Sequence, residues 1–188
     1  MKRRTMLRYS IYASAGATLI PSFHACKTEE AVATTSTFFD ADGMRLITSI
    51  CDGLIPETDT PGAVSLGVPE FYDHMVKVVF ASEDQDRIKE DISLLRIFMD
   101  QSAEGGSFDK LSTEDKSALL AKLEETWAEE NSLNQDEKAA YYSLRGQAIS
   151  YYLNTEYVGT KLLNHLPVPG AYEPCIPISQ TNGKAWTI

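Results

Sequence analysis

Residues 46–76 read LITSICDGLIPETDTPGAVSLGVPEFYDHMV, and this stretch decides the fold. Leu46, Ile47, Ile50, Cys51, Leu54 and Ile55 fall at helical spacing and form one apolar face. Pro56 ends that helix, because proline lacks an N–H and disfavours helical geometry in the residue before it. Glu57, Thr58, Asp59, Thr60, Pro61 and Gly62 are turn-forming residues. Val68-Pro69-Glu70 starts a second helix, with proline suited to the first turn and an acid favourable at the positive N-terminal end. Phe71, Tyr72, Met75, Val76 and Val79 supply its apolar face. The unit is therefore helix, tight acidic loop, helix.

Working outward, the body is helical at both ends of this unit. Asp40 or Asp42 caps the first helix, with Phe38 and Phe39 placed to pack back on it as a hydrophobic staple. Ser82-Glu83-Asp84-Gln85 has the spacing of a capping box and opens a third helix with the stripe Ile88, Ile92, Leu95, Phe98 and Met99. Gly105-Gly106 ends that region. Leu111-Ser112-Thr113-Glu114-Asp115 opens a fourth helix with Leu119, Leu120, Leu123 and Trp127 on its apolar side. A fifth runs from about Asn134–Asp136 to Asn154, with Ala139, Tyr142, Ile149 and Tyr152 as the inward candidates, and a short helix over 156–163 follows. With no sustained alternation, the fold class is all-α: an irregular helical bundle with an extended Pro-rich C-terminal tail.

That tail, residues 164–188, carries four prolines between Pro167 and Pro177, so a regular helix is excluded. It is nevertheless apolar and aromatic, and such a segment lies on something, its own bundle or another protein.

Two patterns in the chain resemble the gluconate 2-dehydrogenase subunit 3 family. The first is Asp52-Gly53-Leu54-Ile55-Pro56, then Thr58-Asp59-Thr60-Pro61-Gly62-Ala63, then Gly67-Val68-Pro69-Glu70-Phe71. The second is Pro167 to Gly170, Tyr172, Cys175-Ile176-Pro177 and Gly183-Lys184-Ala185-Trp186. Lys184 stands where the family usually has arginine, which keeps the charge and loses the planar fork. The resemblance implies a small, exported, non-catalytic partner of a larger FAD-dependent sugar or polyol dehydrogenase. The FAD would sit in that large subunit, with no cofactor in this chain, and a cytochrome c subunit is a candidate third component.

The N-terminus fits export. Lys2-Arg3-Arg4-Thr5-Met6-Leu7-Arg8 looks like a twin-arginine signal, with Arg3 and Arg4 as the pair, Met6-Leu7 as the apolar positions and Arg8 in place of the usual lysine. The weakly apolar run that follows, to Ile20, is shorter than the ~20 residues a membrane span requires, and a signal peptide is the better reading. Ala25-Cys26 places a small residue directly before a cysteine, as a lipoprotein signal does, although Phe23 and His24 depart from the usual pattern. Lipidation at Cys26 is expected, with cleavage nearby and no lipid, or an uncleaved anchor, as the alternatives. The expected organisation is a signal over 1–26, a small polar linker over 27–37 and one helical domain over 38–188. The expected location is the periplasm, membrane-anchored through lipid on Cys26, after passage through the twin-arginine translocase.

Charge narrows the partners. The chain carries a formal net charge of −10, and removal of Lys2, Arg3, Arg4 and Arg8 with the signal takes it to −14. Such a body is not built for nucleic acid.

Independent catalysis has little support in the residues. Gly-x-Gly-x-x-Gly, the P-loop, His-Glu-x-x-His and Cys-x-x-Cys patterns are all missing. Asp73-His74 are adjacent, so a helix points them to different sides. Glu57, Asp59 and Glu70 are a candidate cation cluster, set against the plainer reading as solvated turn and cap acids. Cys51 and Cys175 are a candidate disulfide in an oxidising compartment, set against Cys51 as a small core residue.

Two functions compete. One is the accessory subunit, with Tyr172, Ile176, Ile178 and Trp186 as the partner interface and Glu57 and Asp59 near or bracing it. The other is a stand-alone envelope lipoprotein that binds a ligand or protein through an apolar groove. A tail that merely closes its own core is the rival to the interface reading.

Overall fold

Helix α1 (Ala41–Leu54) is the axle of the molecule. The Asp40 side chain accepts from the Gly43 N–H at 2.8 Å and caps its start. Leu46, Ile47, Ile50 and Cys51 have no solvent exposure, and each large side chain so sealed contributes about 1.5–3 kcal/mol. This is the face read from the sequence. A computed structural model describes residues 38–103, 106–128, 134–166, 170 and 175–187. The export motif Arg3, Arg4, Met6 and Leu7, the cysteine Cys26, the linker 27–37 and Tyr172 lie outside the described residues.

The other helices surround α1: α2 (Val68–Val79), α3 (Ser82–Ser102), α4 (Thr113–Ala128) and α5 (Gln135–Leu153). Helices α2, α3, α4 and α5 all contact α1, and α5 packs in addition on α2 and α3. Among the described residues the architecture is all-α, with no strand longer than an isolated bridge. The α1–α4 contact is close because position 53 is glycine; a Cβ there would stand 2.9 Å from Lys116 Cβ. Across the same contact Lys116 Nζ and Thr113 Oγ1 each meet Asp52 Oδ2 at 2.9 Å, and Ser117 Oγ donates to the Gly53 carbonyl at 2.6 Å. A half-buried ion pair adds little net stability, but leaving one partner unpaired is costly, so it holds α4 in register on α1.

Several expectations are corrected at this level. On α2, Tyr72 and Val76 are buried, but Phe71 is 46% and Val79 62% exposed. The buried positions 68, 72, 73 and 76 leave Phe71 and Val79 on the outer side of the helix. The residues 82–85 do not form a capping box, because α3 already starts at Ser82 with Ala81 as its cap residue. Gln85 instead donates from Nε2 to the carbonyls of Val76, Lys77 and Phe80 at 3.1, 3.1 and 2.9 Å, closing the C-terminus of α2. The box-like geometry does appear on α4, where Ser112 Oγ accepts from Asp115 N at 3.1 Å and donates to Asp115 Oδ2 at 2.9 Å. On α5 the inward residues are Ala140, Tyr141, Leu144, Ala148 and Tyr152; Ala139 and Tyr142 face out and Ile149 is half-buried.

Aromatic packing joins the layers. Phe98 stacks on Trp127 at 5.6 Å, and Trp127 meets Tyr141 at 5.3 Å. Tyr141 donates to Glu124 Oε1 at 2.7 Å. Burial first, and then that hydrogen bond, raise the Tyr141 phenol above its ordinary range. At the other end, Arg96 holds Asp100 at 3.1 Å and Asp109 at 3.2 Å. The Ser107 hydrogen bond, then its own backbone N–H, Arg96 and Arg45, outweigh partial burial and keep Asp109 below the usual carboxylate range.

Candidate partner-binding face

The loop Ile55–Gly67 is the first component. It is a folded device: Ala63 N donates to Ile55 O at 2.9 Å, Val68 N to Ala63 O at 3.0 Å and Leu66 N to Gly62 O at 3.2 Å. Its two limbs touch at Gly62, where a Cβ would be 2.7 Å from Glu57 N. Tyr152 fixes the loop from α5 by donating to the Pro61 carbonyl at 2.9 Å. Glu57 and Asp59 ride on the outer limb and are exposed. They do not converge with Glu70; among the described residues no three His, Cys, Asp or Glu side chains come together as a metal ligand set.

The loop leads into the second component, a groove of about 340 Å³ between the start of α2 and the end of α5. Leu66, Val68, Phe71 and Tyr151 supply its apolar lining, and Thr155 and Glu156 form part of its border. Phe71 meets Tyr151 edge to face at 5.0 Å. Sequence reading misses this groove, because spacing alone counts Phe71 as core and does not single out Tyr151.

The third component is the tail. After α5 the chain makes a π-helical turn, Val158–Leu162, and then pairs with its own C-terminal segment. Asn164 N donates to Ala185 O at 2.7 Å and Thr187 N to Asn164 O at 3.2 Å. Lys184 Nζ reaches the Lys161 carbonyl at 2.6 Å, so this cation serves as a staple within the chain. Ile178 is 75% and Trp186 44% exposed, and Ile176 is half-buried. The structure thus brings Trp186 back beside Asn164, just after the π-helical turn, and sets Glu57 and Asp59 on the loop that leads into the groove. Residues 155–164 connect the two regions.

A second cleft of about 440 Å³ opens between Phe38, Gly43, Lys89, Ile92 and Arg96. Its cations are engaged inside the chain: Lys89 Nζ sits 4.3 Å from the Phe38 ring centroid, and Arg96 holds two aspartates.

The reactive-residue candidates resolve into structural roles. Asp73 and His74 form no dyad. Asp73 is buried and accepts from the Phe38 and Phe39 N–H groups at 2.8 Å each, whereas His74 is exposed. Cys51 and Cys175 are not joined: both are free, Cys51 buried on the inner face of α1 and Cys175 exposed. Burial, with lesser effects from Glu70 and Asp52, pushes the Cys51 thiol up to about 12, which makes it an inert core residue.

A model of the family described as gluconate 2-dehydrogenase subunit 3 matches residues 41–170, from the first residue of α1 past the π-helical turn. The match includes the loop and the groove and ends before residues 175–187. No curated protein and no solved structure gives a match.

Proposed function

Since the chain belongs to the gluconate 2-dehydrogenase subunit 3 family, we propose that it is the non-catalytic accessory subunit of a periplasmic FAD-dependent sugar or polyol dehydrogenase. In this reading it stabilises the large flavoprotein subunit and carries it through the twin-arginine translocase on its own signal. The FAD belongs to the large subunit, a cytochrome c subunit is a candidate third component, and lipid on Cys26 holds the assembly at the membrane. The observation that carries the reading is the uncovered apolar surface. Ile178, Trp186 and Phe71 stay in solvent although the bundle already has a sealed core from Phe39 to Val158. Exposed aromatic and aliphatic groups on a rigid scaffold are the raw material of a subunit interface.

The test is export of the pair. The chain and the large flavoprotein subunit proposed as its partner are expressed together, with Arg3 and Arg4 intact or both replaced by lysine. The expected result is that both proteins reach the periplasm only with the arginines. Unchanged periplasmic accumulation of the flavoprotein in the double-lysine strain would overturn the carrier role. A flavoprotein that never co-purifies with the chain would instead favour a stand-alone envelope lipoprotein.

A further inference from the structure

We propose that the groove between α2 and α5 seats an extended segment of the flavoprotein in which a lysine or arginine stands beside an apolar side chain. This rests on the accessory-subunit reading and says which chemistry the chain recognises in its partner.

The apolar half of the argument is shape. Leu66, Val68, Phe71 and Tyr151 line about 340 Å³, at the low end of the roughly 300–1,000 Å³ of ligand sites. Phe71 is 46% exposed, so the groove is open along one wall. An open apolar trough of this size suits one or two side chains of a passing strand. It is also built in advance. Phe71 and Tyr151 hold each other edge to face, Tyr151 bonds Gln147 at 3.2 Å, and Tyr152 ties the loop down through Pro61. A preformed seat reduces the ordering cost of docking.

The charged half is the imbalance around it. Glu156 is part of the lining, and among the described residues no lysine or arginine is. The Glu70 carboxylate folds back over Gly67, 3.9 Å from where a Cβ would stand, and answers the positive end of α2. The C-terminal end of α5 opens on the groove at Asn154 and Thr155, and its last turn carries no basic residue. Its negative end and Glu156 therefore have no cation supplied by the lining. A basic group on the partner completes both.

The same imbalance selects among occupants. Between Lys161 and Lys184 the chain has no lysine or arginine, and Glu173 lies in that interval, so its own tail is a poor complement. A second copy, −10 as the full chain and −14 without its signal, would bring an acidic body against an acidic seat.

The test uses the full chain co-expressed with the proposed flavoprotein partner. Binding is measured between the tagged chain and the purified flavoprotein at about 0.1 M and about 1 M NaCl, where the Debye length falls from about 10 to about 3 Å. Glu156→Lys and Phe71→Ala are compared with wild type, since both side chains are exposed and neither sits in the core. Each variant is expected to weaken binding at least about tenfold at low salt, the loss of one good interface contact. Glu156→Lys should also flatten the salt dependence, whereas Phe71→Ala should leave its slope unchanged. A photo-crosslinker at position 71 should capture a flavoprotein peptide with a lysine or arginine close to the crosslinked residue. Wild-type binding by both variants overturns the groove proposal and leaves the accessory role standing, provided the wild-type pair forms. Crosslinks to residues 167–174 of the same chain, to a second copy, or to a flavoprotein segment lacking a basic residue also overturn it. Absence of any wild-type complex defeats the accessory reading itself, and this proposal with it.

Discussion

A Cβ placed on residue 62 would stand 2.7 Å from Glu57 N, 2.9 Å from Ile55 O and 2.9 Å from Pro56 C. All three neighbours are backbone, so no side chain can swing aside, and the loop itself must open. Gly62→Ala is therefore expected to cost about 1–3 kcal/mol, the range of overpacking in a closed site. Gly146, in the interior of α5, is the internal control, because a Cβ added there meets nothing within 4 Å. There Gly→Ala should stabilise by about 0.5–1 kcal/mol through helix propensity. Urea titration of both variants checks the pair, and a Gly62→Ala midpoint equal to wild type would refute the crossing. At this scale the sequence is half legible. Pro61-Gly62 announces a turn, but the demand for a missing side chain comes from two limbs of the loop touching each other. Asp73 shows the same limit. Its partners are the N–H groups of Phe38 and Phe39, 35 and 34 positions away, and no local pattern states that.

At the scale of elements, legibility follows the contrast between faces. Helix α1 has a clean apolar stripe, and Asp40 and Pro56 bracket it close to its observed ends. Helix α5 carries the tyrosine pairs 141–142 and 151–152, which straddle its boundary between inside and outside, so periodicity alone does not choose the phase. The third-helix cap fails for a different reason. Ser-x-x-Gln fits a capping box by spacing, yet Gln85 is also near enough to Val76, Lys77 and Phe80 to bond the end of the previous helix. Carbonyls at a helix end need donors, and a glutamine amide offers two N–H groups where a capping box would use only an acceptor. Gln85→Ala should therefore loosen the α2–α3 corner and lower stability by about 0.5–1.5 kcal/mol, the usual net worth of such bonding. Gln85→Glu should cost more, because a carboxylate cannot donate and faces carbonyl oxygens. Amide exchange at Val79 and Phe80 measures the loosening; a glutamate variant as stable as wild type would contradict the assignment.

On the scale of the whole molecule the question is whether the tail completes the bundle or serves something outside it. Its composition promises contact, and the structure divides the answer by residue. The buried apolar core runs from Phe39 to Val158 and takes no side chain from residues 175–187. The tail's own ties are polar and local: the Asn164 pairing, the Lys184–Lys161 contact and a buried Thr181. These position Ile178 and Trp186 without covering them, which is how an interface is held ready at low ordering cost. Deleting residues 171–188 should thus leave a cooperative, helical bundle, with a melting midpoint lower by a few degrees, about the shift of a 1 kcal/mol loss in a domain of this size. Retention of the flavoprotein should fall sharply, since large exposed aromatic and aliphatic groups carry a disproportionate share of interface energy. The two measurements separate the two roles. A truncated chain that retains the flavoprotein as wild type does, at full dehydrogenase activity, removes the tail from the interface. A truncated chain that no longer folds would show that the core from Phe39 to Val158 is not self-sufficient after all.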